Sequence, residues 1–207
     1  MIAALLCLGA MQAQTQLEIR APGLPLSRGT YSHKLNADGT KLATMTMELA
    51  SVDGHKVHVR LDRVYAADGK PVRAFSETVG EKPRFRRVVT VDFDDAGARA
   101  VIDESGKRTV KAIALAANAP RESVSEFWFL RDKPKVGQTT KAYYFDVSAL
   151  EWTLQRSTYV GPTQFKLNGA QISGHRIKTD TGEAIVDDKG LPLRITMGAI
   201  EMNRISS

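Results

Sequence analysis

Reactive side chains are scarce in this chain of 207 residues, which holds one cysteine, Cys7, and four histidines. Cys7 lies in an N-terminal segment that we expect to be removed. The mature chain would then have no thiol for catalysis, for a disulfide or for a metal. His55 and His58 are three residues apart, and an odd spacing puts two side chains on opposite faces of a strand. We therefore expect no metal site and no cofactor.

The sequence motifs of the common enzyme classes are also missing. No serine lies in a Gly-x-Ser-x-Gly elbow, and neither a Walker loop nor a Gly-x-Gly-x-x-Gly fingerprint occurs. Asp92-x-Asp94-x-x-Gly97 matches part of a calcium loop, but Ala96 stands where an oxygen ligand is needed. We therefore expect a protein that is not an enzyme. A hydrolase of the cell envelope, with residues brought together only by the fold, is the weaker alternative.

The first thirteen residues carry no charge and include the apolar run Ile2–Ala10. This run is too short to span a bilayer, which needs about 20 residues, so we expect no transmembrane segment. It is typical of the apolar part of a secretory signal, with cleavage after Ala13. A packed or disordered apolar N-terminus is the alternative. We expect a signal peptide over residues 1–13, one domain over residues 14–207, and a periplasmic or extracellular location.

The net charge is +6, from 29 lysines and arginines against 23 aspartates and glutamates. Both signs are mixed along most of the sequence, which indicates a soluble surface rather than a nucleic-acid interface. Three arginines surround Phe85 in Arg84-Phe85-Arg86-Arg87, a combination that can stack on a base. A strand with Phe85 towards the core explains the same pattern, with Arg87 at a bulge, a strand end or a cavity rim. We expect no nucleic-acid partner.

Aspartate–glycine pairs recur every fifteen residues, at Asp38-Gly39, Asp53-Gly54 and Asp68-Gly69. This dipeptide tolerates the positive φ angles of tight hairpin turns. Between the turns, apolar and polar residues alternate with period two, which is typical of strands with one wet face. The run 43–49 shows this pattern, with apolar residues at Ala43, Met45, Met47 and Leu49.

These spacings predict a mainly β protein. The predicted strands are eleven to thirteen residues long, joined as an antiparallel meander that curls into a barrel or half-barrel. One short helix is predicted to pack on the sheet over Arg121–Arg131, where apolar residues fall at helical spacing and Ser123-x-x-Glu126 can form a capping box. A buried strand through Phe127–Phe129 is the alternative.

Two stretches resemble a known family. Ser125–Arg131 leads into Lys135–Gly137, and Gly174–Ile177 precedes Asp187–Arg194. From Thr30 onward the chain resembles a family of exported bacterial β-rich proteins that is described only as a domain of unknown function. The layout is also similar to the half-barrel of the periplasmic lipoprotein carriers. The resemblance implies a curled sheet with a short helix against it, and no established catalytic residues.

The predicted curled sheet suggests an exported binding protein that holds a lipid or another apolar ligand between the sheet and the helix. The alternatives are a dry core built from the same residues, and a structural module that docks a protein of the cell envelope through a sheet edge. The residues predicted to line the ligand site are Met45, Met47, Val57, Val59, Leu61, Phe127, Trp128 and Trp152.

Overall fold

A computed structural model describes residues 11–81, 84–115 and 128–205. These residues form one antiparallel sheet of fourteen strands and one short helix. The strands are β1 Met11–Arg20, β2 Ser27–Leu35, β3 Lys41–Ala50, β4 Lys56–Tyr65, β5 Pro71–Gly80, β6 Phe85–Asp94, β7 Gly97–Glu104, β8 Lys107–Ala114, β9 Thr139–Asp146, β10 Glu151–Leu167, β11 Ala170–Thr179, β12 Gly182–Asp187, β13 Pro192–Met197 and β14 Ile200–Arg204, and the helix is α1 Trp128–Asp132.

The predicted aspartate–glycine turns are confirmed as five-residue loops of one geometry. In the loop 36–40, Asn36 N donates to Thr40 O at 2.9 Å and Gly39 N donates to Asn36 O at 3.0 Å. The loops 51–55 and 66–70 repeat both bonds. Their glycines have φ angles of 81°, 80° and 87°, a left-handed conformation that costs other residues free energy. Because each loop takes five residues of the fifteen-residue spacing, the strands are about ten residues long and shorter than predicted.

The sheet runs in the order β8-β7-β6-β5-β4-β3-β2-β1-β14-β13-β12-β11-β10-β9. Strand β1 therefore pairs with β2 on one side and with β14 on the other. The free edges are β8 and β9, and no ladder joins them, so the barrel is not closed. The predicted fold class, a curled antiparallel meander with a short helix, is confirmed.

One face of the sheet carries most of the buried side chains, and we call it the inner face. Strand register assigns Leu17, Met45, Leu61, Val89 and Tyr159 to this face. Leu17 and Val89 are almost completely buried. Side chains on the opposite, outer face are largely polar and charged, as the period-two pattern requires.

The sheet rolls past itself, so that one end covers the other. Phe145 and Trp152 face each other across β9 and β10. Trp152 lies an odd number of residues before Tyr159 on β10, so these two side chains point to opposite faces. Because Tyr159 is on the inner face, Trp152 and Phe145 belong to the outer face. Both nevertheless pack against Val89 and Val91 of the inner face. The β9–β10 hairpin therefore lies inside the curl, with its outer face packed on the inner face of β6 and β7.

Side chains, rather than a strand ladder, connect the two ends. Trp152 Nε1 donates to the carbonyl of Ile113 in β8 at 3.2 Å. The Arg63 guanidinium lies 4.0 Å from the centre of the Tyr144 ring and donates to Phe145 O at 3.4 Å. Arg87 donates to Ser148 O at 3.4 Å. This places Arg87 where the two ends overlap.

Helix α1 packs on the inner face of strands β10, β11 and β12. Trp128 and Phe129 are buried against Tyr159, Ile177 and Val186. The C-terminal part of the predicted helix is thus confirmed, and the alternative strand is wrong for these two residues. Residues 116–127, which hold the rest of the predicted helix and Phe127, lie outside the described residues.

Candidate functional site

Five of the eight residues predicted to line a ligand site form one patch on the inner face of β3 and β4. Met45 faces Leu61 and Met47 faces Val59 across the ladder, and Leu49 faces Val57 beside them. All are only half-buried. We call this set the inner patch: Met45, Met47, Leu49, Val57, Val59 and Leu61.

Two other regions of the inner face are covered by other parts of the chain. On β6 and β7 the outer face of the β9–β10 hairpin covers Val89, Val91, Ala100 and Ile102, which are all buried. On β10 to β12, helix α1 provides the cover. Among the described residues, neither of these elements belongs to a core cluster with the inner patch. The inner patch is thus an apolar surface that is only half-buried, unlike the covered parts of the same face.

The other predicted residues lie elsewhere. Trp128 is buried in the α1 cluster, and Trp152 is half-buried in the overlap beside Phe93 and Phe145. Phe127 is outside the described residues. The structure therefore distributes the predicted ligand-binding residues over the inner patch, the helix cluster and the overlap. Aromatic character and parity alone did not distinguish these three places.

A groove of about 490 Å³ crosses strands β1 to β5 on the outer face. Its walls are two rows of outward-facing side chains, one with Gln16, Thr30, Thr46, Arg60 and Glu77 and one with Arg28, Glu48, His58 and Val79. Between the rows run Leu17, Gly29, Met47 and Val59, whose side-chain positions belong to the inner face. A Cβ at Gly29 would lie 3.3 Å from Ile19 Cδ1, on the core side, so the floor of the groove is backbone.

Ion pairs neutralise most of the charge in this groove. Glu48 Oε1 lies 2.7 Å from Lys56 Nζ, and this hydrogen bond lowers the pKa of Glu48 and raises that of Lys56. Arg60 pairs with Asp62, and Glu77 pairs with Arg86 outside the groove. The groove is therefore a salt-bridged outer surface, chemically different from the apolar inner patch. No local sequence pattern predicts this groove, because its walls come from five strands.

A chain of three polar side chains lies beside helix α1. Tyr159 Oη and His175 Nδ1 are 2.8 Å apart, and His175 Nε2 lies 3.0 Å from Asp188 Oδ1. The imidazole also contacts the rings of Phe129 and Tyr159, with centroids 5.6 and 5.8 Å away. Asp188 is exposed. These contacts hold the imidazole against the helix.

A buried ion pair lies where β12 turns into β13. Arg204 donates to Asp187 Oδ2 at 2.9 Å and to Pro192 O at 3.0 Å. Asp187 Oδ1 accepts the backbone N–H groups of Lys189 and Leu191, both at 2.9 Å. Both oxygens of this carboxylate accept hydrogen bonds, one from the loop and the other from β14, which ties the loop to that strand. Among the described residues, no group of three or more His, Cys, Asp or Glu side chains could hold a metal ion.

The fold and the half-covered inner patch define a class of protein, an open rolled β-barrel with an apolar interior surface. This chain is similar to the crystal structure of a β-barrel-like protein from Brucella abortus with a domain of unknown function, DUF1849. The TM-score is 0.55 at 13% identity, over 95% of this chain and 94% of the other. A DUF1089 family protein from Pseudomonas aeruginosa aligns over 96% of both chains at 14% identity with a TM-score of 0.42.

No protein-family profile matches the sequence, and no curated protein matches it. The similarity to the Brucella protein therefore concerns the fold. It agrees with the predicted β-rich family of unknown function. In the described part of the chain, no helix has the length and hydropathy needed to cross a membrane.

Proposed function

We propose that this protein is an exported, non-enzymatic binding protein that holds an elongated apolar ligand, such as an acyl chain, on the inner patch. The observation that carries the proposal is the difference in burial along one face of one sheet. Apolar side chains on β6 and β7 are buried by the rolled-in hairpin, whereas those of the inner patch on β3 and β4 are only half-buried.

The size of the inner patch suits a linear chain. From Met45 to Leu49 on β3, and from Val57 to Leu61 on β4, the patch extends about 13 Å at roughly 3.3 Å per residue. Each buried methylene contributes about 0.8 kcal/mol. A chain of about ten methylenes would gain about 8 kcal/mol on burial. Association costs roughly 4–15 kcal/mol, so this gain offsets the cost in the lower part of that range. The two methionines favour an adaptable site, because their unbranched thioether side chains fit irregular apolar shapes.

A pair of lysine substitutions tests the location of the site. Met45→Lys places an ammonium on the inner patch, and burying it against an acyl chain is costly. Thr44→Lys is the matched control, because Thr44 is the next residue on β3 and faces outward opposite Asp62. With a polyene fatty acid as fluorescent probe, we expect Met45→Lys to weaken binding at least tenfold and Thr44→Lys to leave it unchanged.

Equal binding by the wild type and both variants would refute the inner patch as the site. If Met45→Lys fails to fold, Leu61→Trp provides a second test, because a larger apolar side chain fills the patch without adding charge. Wild-type protein that binds no polyene fatty acid would refute the proposed function itself.

Export can be measured on the same material. Native mass spectrometry of protein purified from the envelope of its own host gives both the first residue of the mature chain and any retained lipid. We expect a chain that begins at Gln14 and carries an adduct with the mass of an acyl lipid. Cleavage there would remove the first three of the β1–β2 pairs and leave the β1–β14 pairs intact. A chain that keeps its first thirteen residues in the cytoplasmic fraction would refute export.

A further inference from the structure

The two free edges of the sheet differ in how they are protected. At β9, Arg63 donates to the carbonyl of Phe145, and Arg87 donates to Ser148 O in the loop that follows, so side chains occupy acceptors at this end of the edge. Strand β8 has seven of its eight residues exposed. Among the described residues, β8 pairs with β7 alone. A long exposed edge of this kind is a template for an additional strand.

The register shows which backbone groups of β8 are available. Leu115 N donates to Ala96 O at 3.0 Å, which fixes the phase of the β7–β8 ladder. Hydrogen-bonded pairs alternate with non-bonded pairs in an antiparallel ladder. The N–H and C=O groups of Arg108, Val110, Ala112 and Ala114 therefore point away from β7. Val110 is 50% exposed, so an incoming strand would also find an apolar contact there.

The charge of β8 has a single sign. The strand carries Lys107, Arg108 and Lys111 and no acidic residue. The two carboxylates that face it from β7 have other partners, since Glu104 pairs with Arg87 and Asp103 accepts the N–H of Gly106. No described carboxylate forms a salt bridge with the three β8 cations. In the described part of the chain, this edge therefore combines outward-pointing hydrogen-bonding groups with positive charge that no salt bridge compensates.

From this combination we infer that β8 binds an acidic, extended peptide segment of another protein by strand addition. Backbone hydrogen bonds to the outward-facing groups would give affinity, and the cations would select carboxylates. A second copy of this chain fits less well, because pairing two β8 strands brings lysines and arginines together, and like charges across a ladder are destabilising. This inference is independent of the proposed acyl-chain site, which lies on β3 and β4.

The test uses a fluorescent peptide of alternating glutamate and valine, matched to the eight residues of β8. A peptide of the same length and charge, with proline in place of each valine, cannot form a ladder and serves as the first control. We expect anisotropy to report binding of the first peptide and at least tenfold weaker binding of the second. Val110→Pro removes one outward N–H but no bond to β7, and it should weaken binding of the first peptide about tenfold.

Charge reversal on β8 tests the electrostatic part of the binding with variants that contain no proline and so leave the backbone hydrogen-bonding groups in place. Arg108→Glu with Lys111→Glu should weaken peptide binding at least tenfold, whereas the exposed Lys166→Glu on β10 should leave it unchanged. Three results would overturn the inference: equal binding of the proline-containing peptide, equal binding by the charge-reversed protein, or binding to vesicles of anionic phospholipid without binding to the peptide. The last result would assign the cationic edge to a membrane surface.

Discussion

At the scale of single residues, the surroundings of one histidine on the inner face shift its pKa. His33 lies on the inner face of β2 opposite Ala13 and Ala43. Burial lowers its pKa, and the charge of Lys41 acts in the same direction, while the nearby Asp187 acts in the opposite direction. Desolvation is the largest cause, so the folded protein favours the neutral imidazole.

A dependence of stability on pH follows from this shift. His33 has its ordinary pKa, about 6.5, in the unfolded chain and a lower pKa in the folded protein. Below about pH 6.5 the unfolded state binds a proton that the folded state does not, so the stability contributed by His33 is present above this pH and falls as the pH decreases. We expect His33→Asn to reduce the loss of unfolding free energy between pH 7.5 and pH 5, measured by urea denaturation.

The exposed His58 on the outer face provides the control. It lies near Glu48 and Glu81 at 3.8 and 3.7 Å, in a polar setting unlike that of His33. His58→Asn makes the same chemical change on the outer face and controls for the substitution itself. If the unfolding free energy of His33→Asn depends on pH as that of the wild type does, burial of the imidazole makes no measurable contribution to the loss of stability in acid.

At the scale of elements, the repeated five-residue loops set the length and pairing of the first strands. Gly39 and Gly54 occupy the same position in two of these loops, with φ angles of 81° and 80°. Their surroundings differ. A Cβ at Gly54 would meet nothing within 4 Å, whereas a Cβ at Gly39 would lie 3.0 Å from the Cβ of Ala67. Comparing substitutions at the two glycines therefore separates the free-energy cost of the left-handed backbone from the cost of steric crowding.

Gly54→Ala should lower the free energy of unfolding by about 1 kcal/mol, the cost of a left-handed backbone for a residue with a Cβ. Gly39→Ala should cost more, because Ala67 must also move. Urea denaturation of both variants checks the order, and Gly54→Asn should recover part of the loss, since asparagine tolerates this conformation. Equal stability of Gly54→Ala and the wild type would contradict the role given to this φ angle.

The sequence predicts these elements well because their causes are local. Aspartate–glycine pairs require particular φ angles, and alternation assigns side chains to two faces, so the meander and the patch on β3 and β4 could be predicted. Trp152 shows where local reasoning ends. Its outward-facing position on β10 becomes part of a core only because the sheet rolls past itself, and no short-range pattern encodes that overlap. The groove and the Tyr159–His175–Asp188 chain likewise depend on register between distant strands.

At the scale of the whole molecule, the overlap of the two sheet ends takes the place of barrel closure. Phe145 is buried there against Trp152 and Phe93, with ring centroids 5.0 and 5.5 Å away. Phe145→Ala should destabilise the protein by about 3–5 kcal/mol, the usual cost of removing a buried phenylalanine. Leu154→Ala is the control, because Leu154 shares that face of the hairpin but is 45% exposed.

Hydrogen exchange locates the effect of these variants. In Phe145→Ala, amide protons of β6 and β7 should exchange faster than in the wild type, because the hairpin that covers them is loosened. Amide protons of β13 and β14 should change less. Faster exchange spread equally over all strands would indicate that the overlap has no local role and that the roll unfolds as one unit.

The place of β1 in the middle of the sheet has a consequence for how the chain acquires its structure. Every ladder except one joins strands that follow each other in sequence, so each of those hairpins closes a short loop at small entropic cost. The exception is β1 with β14, where Leu17 meets Arg204. Synthesis must reach residues 200–204 before this ladder can form. Until then β1–β8 and β9–β14 can form only two separate sheets. Each of these sheets has one more unpaired edge strand, β1 or β14, than the complete fold leaves exposed.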